Sequence, residues 1–89
     1  IHYATESTSS TNNKLDAYVF EQTQSVVDGQ SEGLVSTTAE VWGTSTISGS
    51  TLDQCTGKGT TCIVNLKLSS LGDNYVRVGN IILNYTRVL

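Results

Sequence analysis

The chain has 89 residues, of which 5 are basic and 8 acidic, for a formal net charge of −3. A chain of this length holds one domain, and without a basic stripe it offers nothing to the phosphates of DNA or RNA. Only 15% of the residues are charged, while Ser and Thr abound, a balance that suits pleated sheets with a solvated outer face rather than helices.

The first residue is Ile1 rather than Met, as expected of a processed or trimmed chain, for which a removed signal peptide is one natural explanation. No apolar run approaches the ~18 residues of a membrane span. Residues 1–14 read as a polar N-terminal arm. Ile1 and Tyr3 share a face at strand spacing, and a Ser/Thr/Asn tract runs behind them to Asn13. That tract buries too little apolar surface to order itself. Ile1 and Tyr3 are therefore expected to anchor the arm by adding a strand to a sheet edge, with the edge of a neighbouring copy favoured over the chain's own.

Residues 15–89 read as a single β-sandwich domain. Leu15 to Glu21 alternates as a strand, with Leu15, Ala17 and Val19 on one face and Tyr18 and Phe20 on the other. Gln24 to Val27 extends it, and Asp28-Gly29 carries the strongest short turn signal. After Gly33, the alternation of Val35, Thr37, Ala39 and Val41 predicts a second strand. Thr44 to Leu52 predicts a weaker one, with Gly49 as a bulge or turn. Cys62, Val64, Leu66 and Leu68 then share one face of a clear strand, opposite Ile63, Asn65 and Lys67. Tyr75 to Val78 and Ile81 to Leu89 are strand-like and flank Gly79-Asn80, which fits either a two-residue hairpin or a bulge in one long strand. In the hairpin register Val76 faces Leu83, and Tyr85 and Leu89 continue that face.

About six to eight short strands with no helix predict an all-β fold, a small antiparallel β-sandwich of jelly-roll or immunoglobulin-like kind. Its expected core holds Val19, Val35, Ala39, Val41, Val64, Leu66, Val76, Val78 and Leu83. The two cysteines, Cys55 and Cys62, are expected to form a disulfide, as an even pair does in a short secreted chain. Closing so small a loop is worth about 2.5 kcal/mol in the chain-entropy model. Pro is absent, which leaves sheet edges unblunted.

Nothing in the chain assembles a recognisable active site. Gly57-Lys58-Gly59-Thr60 lacks the first glycine of a phosphate loop, because Leu52 stands in its place. Gly43-Thr44-Ser45-Thr46-Ile47 lacks the second glycine of a nucleophile elbow. His2 has no partner nucleophile, and one His with two Cys does not complete a zinc site. Asp28, Glu32, Asp73 and Asn74 lack the spaced ligand series of a calcium loop. No catalytic residue, metal or cofactor is therefore expected. Trp42, Tyr3, Tyr18, Tyr75 and Tyr85 raise the possibility of a carbohydrate platform, against the ordinary role of such rings in a small core. Asn84-Tyr85-Thr86 matches the glycosylation pattern at Asn84.

These readings converge on an extracellular structural subunit, not an enzyme. It would assemble with copies of itself through strand edges into a pilus-like filament or coat. The alternative is a monomeric secreted module that recognises carbohydrate or a protein partner.

Overall fold

The computed structural model describes residues 1–48, 52, 55 and 60–84. Among them the chain is all-β: β1 His2–Thr5, β2 Asn13–Glu21, β3 Val26–Leu34, β4 Gly43–Thr44, β5 Cys62–Ser70 and β6 Val76–Val78. They form two three-stranded antiparallel sheets, ordered β4-β1-β6 and β3-β2-β5. The result is a small β-sandwich with one disulfide.

Strand β2 is the spine of the larger sheet, paired on both flanks. Its alternation places Asn13, Leu15, Ala17, Val19 and Glu21 on one buried face. The register with β5 runs unbroken from Asn13↔Ser70 to Glu21↔Cys62, so Leu68, Leu66 and Val64 lie beside Leu15, Ala17 and Val19. That apolar face is the one the sequence alternation implies for both strands.

The turn after β2 falls at residues 22–25, ahead of the expected Asp28-Gly29. Two local features explain it. The Glu21 carboxylate accepts the backbone N–H groups of Thr23 (2.9 Å) and Gln24 (2.7 Å), and Ser25 takes the left-handed backbone, φ 56°. Gly29 is instead an interior residue of β3, buried and opposite Val19. A Cβ there would stand 2.6 Å from Ile47 Cγ2 and 2.7 Å from Leu52 Cδ2. The glycine is thus a seat for a crossing segment, not a turn. Two register shifts interrupt β3 against β2, and at one of them Gly33 N–H donates to Asp16 Oδ1 over 2.8 Å.

The strand expected over Val35–Val41 does not form. Residues 37–40 bend and turn, Glu40 has φ 66°, and Ala39 and Val41 are exposed. The buried member is Ser36. It exchanges 2.8 Å hydrogen bonds with Thr5 in both directions and donates its hydroxyl to Val41 O, also over 2.8 Å. Side-chain bonding of this sort offers the backbone an alternative to a ladder, and here it buries Ser36 where apolar periodicity placed Ala39 and Val41 inside.

At the C-terminal end the described residues form neither the hairpin nor one long strand: β6 ends at Val78. Gly79 N–H donates to His2 O (2.8 Å) and Asn80 O accepts His2 N–H (2.9 Å), so two residues oppose one. Residues 81–84 form no strand, Val76 pairs with Thr5 rather than Leu83, and Leu83 is outside the core. The core is consequently small and partly polar: Tyr3, Ala4, Leu15, Ala17 and Val19, joined by Thr5, Asn13, Asp16, Glu21 and Ser36. Of the expected core only Val19 is fully buried. Val35, Leu66, Val76 and Val78 are half-buried, and Val64 is exposed.

Candidate functional site

Cys55 and Cys62 are bonded, with Cα atoms 6.0 Å apart. The bridge ties the segment that crosses β3 to the first residue of β5, and Cys55 N–H also donates to Asp28 Oδ2 over 3.1 Å. Crossing segment, β3 and β5 are thus held at one end of the larger sheet. Residues 56–59, including Lys58, lie outside the described residues.

The segment expected to be an arm is built into the chain's own fold. β1 is the middle strand of its sheet, and its neighbours on both sides belong to the same chain. The Ile1 ammonium donates to Ser45 O (2.8 Å) while Ile1 O accepts Ser45 N–H (3.0 Å). Tyr3 is buried, its hydroxyl aimed at Val35 O. The reach to a neighbouring edge proposed for Ile1 and Tyr3 is therefore closed: both edges of β1 are already used. Nor does the polar tract need another molecule to order it. Buried Asn13 accepts Ser7 N–H through Oδ1 (2.8 Å) and donates Nδ2 to Ser7 O (2.9 Å) and Ser9 O (3.4 Å). Ser7 Oγ in turn accepts Ser9 N–H and Asn12 Nδ2. The tract folds by capping itself, the habit of short polar side chains in turns.

The aromatic rings do not form one platform. Tyr3 is interior. Tyr75 donates to Glu40 Oε1 (3.1 Å) and lies beneath the Arg77 guanidinium, 4.4 Å away. Tyr18 stands on the other sheet, flanked in register by Gln30 and Asn65. Burial, then the nearby charges of Glu32 and Asp16, push its phenol above the usual range. Trp42 is half open to solvent and meets the His2 ring edge-on, with centroids 6.3 Å apart. Tyr85 lies outside the described residues. A hollow of about 160 Å³ lies among Ser10, Thr11, Asn12, Lys14, Ser70 and Leu71, and a wider one of about 400 Å³ lies along β3 at Val27, Asp28, Gly29 and Gln30; neither gathers the aromatic rings.

Among the described residues no three His, Cys, Asp or Glu side chains gather to hold a metal. Asn74 simply closes a turn on Leu71 O. Glu21 has a structural task. Burial alone would raise its carboxyl, but the two backbone N–H groups it accepts outweigh that and hold it below the usual carboxylate range. Asn84 is exposed.

Among the described residues the fold presents exposed apolar surface and one long open edge. Val64 and Leu68 lie on the core-facing side of β5 yet are 44% and 51% exposed. On the opposite face Phe20 is flanked in register by Val27 and Ile63, both exposed. β5 is nine residues long and pairs only with β2; its outer edge makes no backbone hydrogen bond among the described residues. β3, the other edge of that sheet, is broken by two register shifts and carries Asp28 and Glu32. Sequence reading found β5 but could not find its edge, because alternation reports faces and is silent on which strand lies outermost. No helix among the described residues is long and apolar enough to cross a membrane. No protein-family model matches the chain, and neither does any curated protein or solved structure.

Proposed function

We propose that the chain is a non-catalytic, extracellular structural subunit that assembles with copies of itself through its open sheet edge and apolar faces into a surface filament or coat. The observation that carries the reading is the amount of surface left uncovered. The chain exposes 5982 Å², whereas a compact monomer of 9.5 kDa is expected to expose about 5,000 Å². The excess, about 1,000 Å² per chain, is of the order of the ~800 Å² that each partner buries in a stable interface. The exposed residues include Val41, Trp42, Ile63, Leu68, Ile82 and Leu83, more large apolar side chains than the core itself contains. A disulfide is at home in an oxidising compartment, which supports the extracellular placement.

The test is the mass of the purified protein by sedimentation velocity over a wide concentration range, paired with negative-stain electron microscopy. Concentration-dependent growth into filaments or sheets is the expected result. A chain that stays monomeric throughout refutes the reading and leaves the monomeric binding module in its place.

A further inference from the structure

Resting on that reading of a self-assembling subunit, we infer that the contact is head-to-tail: residues 81–84 of one copy add as a strand to the outer edge of β5 in the next. The acceptor is set by what the four outermost strands offer. β4 and β6 are two and three residues long, and β3 is bulged and charged along its length. β5 is long, unshifted against β2 and carries one charge, Lys67. Natural edges are protected by Pro, bulges, charge or shortness, and β5 has little of any.

The donor is the segment that leaves the fold after the bulge at His2. Ile81, Ile82 and Leu83 are 49%, 71% and 75% exposed, and residues 81–84 make no hydrogen bond among the described residues. Three consecutive large apolar side chains stand in water there, and burying them would be favourable. Among the described residues, donor and acceptor both stand open and do not pair with each other. A second copy carries both missing halves.

Backbone bonding along β5 would supply affinity, and alternation would supply register. With Ile81 and Leu83 placed beside Val64, Leu66 and Leu68, the half-covered apolar face of β5 is extended and closed. Ile82 and Asn84 then fall on the side of Ile63, Asn65 and Lys67, which is the more polar one. Donor and acceptor are different surfaces, so the contact does not close on itself and propagates as a fibre.

Two variants test this, both at exposed positions so that the fold is retained, which a β-type far-ultraviolet spectrum checks. I81D/L83D blocks the donor and V64K/L68K blocks the acceptor. The parent is expected to assemble, while each variant alone stays monomeric to at least tenfold higher concentration. An equimolar mixture of the two should form a one-to-one dimer and stop there, because each complex then has one working contact and no free partner. Assembly lost in V64K/L68K but untouched in I81D/L83D means that two β5 edges pair with each other; this overturns the donor assignment and leaves self-assembly standing. Assembly untouched in both variants overturns it likewise. A monomeric parent in which I81D/L83D only lowers the melting temperature shows the segment docking on its own chain, and overturns both readings.

Discussion

Replacing Gly29 by Ala isolates the role that tertiary packing assigns to this residue. The new methyl would sit 2.6 Å from Ile47 Cγ2 and 2.7 Å from Leu52 Cδ2, where carbon atoms at contact prefer about 3.5–4.0 Å. Something must move by roughly an ångström, and the Ile47 methyl, one bond from its Cβ, yields only by a change of χ1 or a shift of residue 47 itself. Overpacking of this degree costs about 1–3 kcal/mol. A domain of 89 residues has a total stability of about 4–13 kcal/mol, so the change is a large share of it. In a domain this small each kcal/mol shifts the melting temperature by about 4–8 °C. Urea unfolding followed by tryptophan fluorescence reads the midpoint, and an unchanged slope certifies that stability alone has moved. A turn at Asp28-Gly29 would also penalise Ala, through positive φ, but that penalty would be blind to residue 47. In the structure positive φ falls at Gly33 and Gly72, and Gly29 is strand. The double variant with Ile47→Ala therefore decides. Recovery of about 1 kcal/mol or more relative to additive behaviour is expected. Additive costs, or a Gly29→Ala protein as stable as the parent, would refute the packing argument.

Leu15→Ala, at a fully buried site on the central strand β2, should cost about 2–5 kcal/mol; Leu66→Ala, half-buried on β5, should cost less, and the reverse order in urea midpoints would contradict the observed core. Asn13→Ala removes three hydrogen bonds from the Ser7–Ser9 turn and should cost about 2–3 kcal/mol, with amide exchange in residues 6–12 rising more than in β5; uniform exchange would argue against a local role. Glu21, held below the usual carboxylate range, contributes stability that is fully present above its unfolded pKa of about 4.3 and is lost as pH falls through the lower folded value. The gap in melting temperature between parent and Glu21→Gln should therefore narrow as pH drops from 6 toward 3; a gap independent of pH would mean that the turn amides do not depend on the charge.

The sequence alone determined the all-β class, the disulfide and the two longest well-patterned strands. Leu15–Glu21 and Cys62–Leu68, the cores of β2 and β5, alternate with a period of two, which puts Leu15, Ala17 and Val19 on one face beside Leu68, Leu66 and Val64. Tertiary structure decided the rest, wherever a polar side chain or a missing one outweighed the local pattern. Asp28-Gly29 has turn chemistry, yet Ile47 and Leu52, some 20 residues away in sequence, need the space above Gly29. Val35 to Val41 alternates correctly, yet the paired bonds of Ser36 and Thr5 across 31 residues bury the serine, while Ala39 and Val41 stand exposed. Residues 1–13 are too polar to order by apolar burial, and Asn13 and Ser7 order them by hydrogen bonding instead. The open edge of β5 belongs to the same class. Strand order depends on which ladders form between distant segments, and hydrophobic periodicity within one strand carries no record of whether a neighbour stands on its far side.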